Sequence, residues 1–176
     1  YEGPALFLAG ADSDYCREPQ VEAIRALRFD GRLRAIESLA SVDVGVVTGR
    51  NAFFVMSLDD ARRYRLSNLT VPLVARSAQL PGTVYTAEDH RAATGRTALL
   101  DARGVALSKH SGLREYVALG EEQDVHTGYK CRIRKEWWVV PSIWEADAFM
   151  FRQIHTHPRV IANDTTATCT DTVHRM

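Results

Sequence analysis

The sequence predicts an α+β domain, rich in strands and short helices and preceded by a helical segment. Three observations carry this prediction. Apolar residues recur at spacings of three from Val21 to Leu39, and short apolar runs divided by Gly, Pro and Asn fill the chain from Val42 onward. Helix-start signatures also recur between those runs.

The first helical stretch is "PQVEAIRALRFDGRLRAIESLASV". Val21, Ile24 and Leu27, then Leu33, Ile36 and Leu39, fit helical spacing, and Asp30-Gly31 interrupts it. Two short helices or one bent helix are expected, leading into a strand at Val42. The opening of the chain is acidic: Glu2, Asp12, Asp14, Glu18 and Glu22 are opposed only by Arg17. Residues 1–41 are thus expected to form a linker with lead-in helices, and 42–176 the main domain.

"VDVGVVTGRNAFFVMS" follows. An apolar strand pattern breaks at Thr48-Gly49-Arg50-Asn51 and resumes at Phe53, which predicts a hairpin turned by Gly and Asn. "LDDARRYRL" predicts a short helix with Asp59 or Asp60 near its start, and "LTVPLVARS" an extended segment that Pro72 confines to an edge or an irregular path. In "TAEDHRAAT", Thr86 and Asp89 form a capping-box-like start, with Gly95 near the helix end. "TALLDA" is a strand candidate. "SKHSGLREYVALGEEQDV" predicts a helix from Ser108 or Ser111 to around Gly120. In "YKCRIRKEWWVVP", Tyr129, Cys131 and Ile133 alternate with Lys130, Arg132 and Arg134, predicting a strand with one basic face. Strands are also expected at "AFMFRQI" and "RVIAND", and the closing "TDTVHRM" has a strand pattern.

Composition narrows the function. The chain has 176 residues, 45% hydrophobic and 25% charged, enough apolar material for a core. No apolar run is long enough for a bilayer span. Cys16, Cys131 and Cys169 are odd in number and widely spaced, which suits free thiols in a reducing cytoplasm. The chain opens at Tyr1 without methionine and stops at Met176 inside a strand pattern, so a segment of a longer polypeptide is expected. Lys plus Arg and Asp plus Glu number 22 each. Any attraction for a polyanion must therefore come from local clustering.

The strongest cluster is "HTGYKCRIRKEWW". Cations two residues apart on one strand face would lie roughly 7 Å apart, close to the phosphate spacing of a DNA strand, with Trp137 and Trp138 beside them. The plainer reading is a solvated edge strand with basic gatekeepers and tryptophans in the core. The "TGRN" turn is a second candidate, since Arg50 and Asn51 can hydrogen-bond phosphate or bases and Gly49 permits close backbone approach. His155, His157, Cys169 and His174 loosely evoke a metal site, without the close cysteine pair of structural zinc. There is no G-x-S-x-G and no Gly-x-Gly, so neither a hydrolase elbow nor a Gly-rich cofactor loop is present. Besides DNA recognition, two functions fit these residues: a small metal-dependent enzyme, and a protein-interaction domain anchored on Trp137-Trp138 and the basic strand.

Three of these stretches, in order, resemble one family. "SVDVGVVTGRNAFFVMS", "YKCRIRKEWWVVP" and "PRVIANDTTATCTDTVHRM" are similar to successive elements of the target recognition domain of N6-adenine-specific DNA methyltransferases of the gamma-type arrangement, found in type II and type IIG restriction-modification enzymes. The resemblance implies a DNA-recognition module that binds double-stranded DNA and positions the target adenine for a catalytic domain of the same polypeptide. It implies S-adenosylmethionine as cofactor of the parent enzyme, a site-specific adenine methyltransferase of the bacterial or archaeal cytoplasm. The family's Asn-Pro-Pro-aromatic and glycine-rich cofactor motifs are absent here, so no catalytic residue, cofactor or methyl transfer is expected of this chain alone. Carried over by motif, Thr48, Gly49, Arg50 and Asn51 form a loop directed at DNA or the catalytic cleft. Lys130, Arg132 and Arg134 face DNA with Trp137 and Trp138 packed beneath or beside them, and Thr172 and His174 occupy the closing polar motif.

Overall fold

The computed structural model describes residues 18–153 and 157–176. Cys16, His155 and most of the acidic opening lie outside the described residues. Helix α1, Glu18–Phe29, ends at Asp30-Gly31 as the periodicity predicts, and a 3-10 turn at Ile36–Ser38 follows. Two sheets make up the rest of the α+β architecture.

In chain order the elements are β1 Asp43–Val44, α2 Asn51–Phe54, β2 Val55–Met56, α3 Leu58–Arg63, β3 Thr70–Val74, β4 Val84–Tyr85, α4 Ala87–Ala92, β5 Ala98–Leu100, α5 Ser111–Glu122, α6 Tyr129–Arg132, β6 Ala148–Phe151, β7 Val160–Asn163, β8 Thr168–Cys169 and β9 Val173–Arg175. One sheet has the order β1-β9-β6-β7-β4 and the other β2-β5-β3-β8. Strands β8 and β9 are sequence neighbours in different sheets, so the corner at Thr170–Thr172 joins the two. The Thr170 and Thr172 hydroxyls both donate to the Ala75 carbonyl at 3.0 Å, tying that corner to the end of β3.

Local chemistry sets the short helices. Ser57 caps α3 by accepting from the Asp60 N–H at 3.0 Å. Thr86 and Asp89 form the expected capping box on α4, with Thr86 N–H donating to the Asp89 carboxylate at 2.8 Å. That bonding holds the Asp89 carboxyl below its ordinary range. Helix α5 starts at Ser111, capped by His110, whose Nδ1 accepts from Leu113 N–H. It ends at Glu122, close to the expected Gly120. A Cβ on Gly120 would lie 2.4 Å from the Trp137 ring and 2.7 Å from Phe53, so this glycine makes room for packed rings.

Three sequence expectations are corrected. Val42–Ser57 is not a hairpin: β1 pairs with β9 in one sheet and β2 with β5 in the other, so the chain crosses between sheets at Thr48–Asn51. Tyr129–Arg134 is not a strand but the helical turn α6 and a bend after it. Pro72 is not on an edge strand, because β3 lies between β5 and β8. Leu73 N–H bonds Thr97 O, and Asp101 N–H bonds Leu69 O, so the Pro72–Ala98 pair is a non-hydrogen-bonded one. The ring nitrogen faces the other side, where β8 pairs only from Leu73 onward.

Apolar side chains gather in two clusters. The larger fills the space between the β2-β5-β3 face, α5 and the Trp137–Val140 segment, with Phe54, Leu73, Leu99, Leu100 and Leu113 fully buried. The smaller, around Tyr85, Phe149 and Ile161, lies against the five-stranded sheet. No helix among the described residues is long and apolar enough to cross a membrane.

Candidate nucleic-acid interface

The Thr48–Asn51 stretch is built from the inside out. Thr48 is buried; its hydroxyl donates to Asn51 Oδ1 and accepts from Arg50 N–H at 3.1 Å. This local pattern starts α2, which turns Phe53 and Phe54 into the core. Thr48 therefore positions the loop, while Gly49, Arg50 and Asn51 are exposed.

Gly49 is where the loop meets α6. Its φ of 86° favours glycine, and a Cβ there would lie 2.7 Å from Lys130 Cβ. Arg134 closes the same seam from behind. Its guanidinium donates to Thr48 O at 2.8 Å and Val47 O at 3.2 Å, and lies 5.5 Å from the Phe54 ring centroid. Burial lowers the Arg134 pKa from its ordinary value, as fits a half-buried guanidinium satisfied by carbonyls. Arg134 thus serves the loop's placement and does not stand beside Lys130 and Arg132 on one basic face.

The two-residue alternation of a strand does not hold across 129–134. Cys131 is buried, whereas Tyr129 is 65% exposed and Ile133 61% exposed. Burial raises the Cys131 thiol pKa, opposed by nearby Arg134 and Arg50, so this cysteine is a packing residue. Lys130 and Arg132 are exposed; Lys130 Nζ lies 5.7 Å from the Tyr129 ring, and Arg132 has no side-chain partner among the described residues. Among the described residues the Arg50 guanidinium donates only to the Gln123 carbonyl, at 3.5 Å. The loop and α6 thus meet at Gly49 and Lys130 as one projection that carries the exposed Arg50, Tyr129, Lys130, Arg132 and Ile133.

Trp137 lies within the ring cluster rather than beneath the cations. Its ring centroid is 5.5 Å from Phe53 and 6.1 Å from Trp138, and Phe53 stacks on Tyr116 at 4.5 Å. The Tyr116 hydroxyl donates to Phe53 O at 2.7 Å, and burial pushes its pKa up to about 12. Both tryptophans are half-buried in this packing.

Thr172 is exposed at the corner between the sheets and lines a groove of about 970 Å³ that Asn51 also lines. His174 is on β9, opposite Val44 and Met150, on the face away from buried Val173 and Arg175. Cys169 is buried, with its thiol bonded to Val173 O and its pKa raised by burial to about 12. Among the described residues no three His, Cys, Asp or Glu side chains group to hold a metal.

A family model described as the C-terminal domain of the type II methyltransferase M.Eco57I matches residues 13–176. The chain belongs to this family. It is a C-terminal methyltransferase domain of the restriction-modification kind, the target-recognition region that the three ordered stretches resemble. No curated protein matches the chain. Sequence reasoning placed Tyr129 and Ile133 on the strand face opposite the cations, whereas the structure exposes them beside Lys130 and Arg132, and it brings Arg76 and Arg96, which that reasoning did not single out, to the groove. Tyr129 and Ile133 carried a faint signal in Gly128, which precedes α6 directly. Arg76 and Arg96 carried none, because only tertiary pairing brings 76, 96 and 172 together.

Proposed function

We propose that this chain, through residues 42–176, is the DNA sequence-recognition module of an S-adenosylmethionine-dependent N6-adenine DNA methyltransferase. The parent is a site-specific, adenine-specific enzyme of the bacterial or archaeal cytoplasm. The module binds duplex DNA and positions the target adenine for a catalytic domain elsewhere in the same polypeptide, where cofactor and catalytic residues reside. A base buried in a duplex must leave the stack to be methylated, and a second domain gripping the flanking DNA supplies that positioning.

The observation that carries this reading is the loop–α6 projection. Arg50, Lys130 and Arg132 are exposed cations on two short elements locked together by Gly49 and Arg134. Arginine and lysine serve phosphates and guanine edges, and exposed Tyr129 and Ile133 suit apolar contact with bases or thymine methyls. Asn51 and Thr172 extend the same polar surface, while Thr48, Arg134 and Trp137 hold it in place.

The test is charge reversal at Arg50 and Arg132 in the intact polypeptide. Arg50→Glu with Arg132→Glu should weaken duplex binding at least about tenfold and flatten its salt dependence, with S-adenosylmethionine binding unchanged. Unchanged duplex affinity would remove the projection from the interface.

A further inference from the structure

We propose that the groove between the two sheets is a second DNA contact, which takes a stretch of phosphodiester backbone with Arg76 as its anchor. This rests on the DNA-recognition reading and assigns it a site that the sequence motifs do not reach.

The groove, about 970 Å³, opens where α2, the turn after β3, the exit of α4 and the Thr170–Thr172 corner converge. It is continuous with the loop–α6 projection through Asn51, which belongs to both. Asn51, Arg76 and Arg96 are all exposed, so the groove is open along its rim. That shape suits a polymer lying through it better than an enclosed small molecule.

Hydrogen bonding gives the ligand class. Gln79 Oε1 accepts from Ala75 N–H at 2.7 Å and from Arg76 N–H at 3.1 Å, which fixes the amide and leaves its NH₂ without a partner among the described residues. Asn51 Oδ1 accepts from Thr48, so its NH₂ is likewise open. Arg96 uses Nη1 on the carbonyls of Ala52, at 2.6 Å, and Val55, at 3.3 Å; its Nε and Nη2 have no partner among the described residues. The Arg76 guanidinium makes no hydrogen bond or ion pair among the described residues. The amide oxygens of Asn51 and Gln79 are occupied, the open amide and guanidinium groups are N–H donors, and the lining holds two guanidinium groups against one carboxylate. That carboxylate, Asp89, accepts from the Thr86 N–H and hydroxyl through Oδ2, while its Oδ1 and the Thr94 hydroxyl have no partner among the described residues. A lining of open donors with net positive charge calls for a ligand of anionic acceptors, and a run of phosphate oxygens fits.

The experiment titrates the intact polypeptide with a fluorescent 30-base-pair duplex of random sequence at 50 and 200 mM salt, which reads phosphate contacts without knowledge of the recognised site. Arg76→Ala should weaken binding roughly threefold to tenfold at the lower salt and reduce the log–log salt slope by about 0.9. Arg76→Lys should retain most of the slope, and Asp89→Asn should tighten binding. Thermal melting checks each variant's fold, which exposed, unpartnered Arg76 should not disturb. If Arg76→Ala changes neither affinity nor slope while Arg132→Glu weakens binding, the groove is not a backbone contact and the wider reading stands. If neither substitution weakens binding, the DNA-recognition reading fails with it.

Discussion

Replacing Gly49 with alanine probes the contact on which the interface depends. Two costs add at this position. The φ of 86° forces an L-residue into left-handed backbone, at about 1–2 kcal/mol. The new Cβ would also stand 2.7 Å from Lys130 Cβ, an atom fixed by the α6 backbone, so relief requires α6 or the loop to move. Such overpacking typically costs about 1–3 kcal/mol. Gly95 supplies the control, with a φ of 88° and nothing within 4 Å of the point a Cβ would occupy. Gly95→Ala should show the backbone cost alone, and Gly49→Ala should exceed it by about 1–3 kcal/mol. Urea denaturation followed by tryptophan fluorescence measures both. Equal losses for the two variants would refute the packing of the loop against α6.

Arg134→Ala removes donors to Thr48 O and Val47 O and should destabilise the fold by about 2–3 kcal/mol, seen as a lower urea midpoint; an unchanged midpoint would return Arg134 to a free surface role. His90 accepts or donates at Nδ1 against the Tyr85 hydroxyl 2.8 Å away, and burial lowers its pKa below the ordinary 6.5. The unfolded state then binds more protons in that window, so stability should be complete above about pH 6.5 and decline as pH falls toward the folded value. Melting temperatures across pH 5–8 should show this decline flattened in His90→Gln. Gly120→Val places a branched side chain where Trp137 and Phe53 already stand and should destabilise by more than about 2 kcal/mol, measured by the same urea titration.

Elements set by local chemistry were legible in the sequence. Helices α3 and α4 carry their N-caps in the residues themselves, Ser57 with Asp60 and Thr86 with Asp89, so no distant contact is needed to place them. Strands β5, β6 and β7 follow short apolar runs. The errors fall where distant partners decide. Tyr129–Arg134 alternates like a strand over six residues, too few to separate a strand from a helical turn, and the deciding fact is that Cys131 is buried while Gly49 abuts Lys130. The apparent hairpin at Thr48–Asn51 has sound turn chemistry, yet β9 and β5 claim its two arms for different sheets. For the candidate site, the cations Arg50, Lys130 and Arg132 were visible as a composition, but their grouping with Tyr129 and Ile133, and the supporting position of Arg134, depend on that crossing.

Amide hydrogen exchange of the intact polypeptide with and without bound duplex tests the central claim most directly. The account predicts duplex-dependent protection at residues 47–51 and 128–134. Duplex binding with protection confined to other segments, and none at these two, would contradict it.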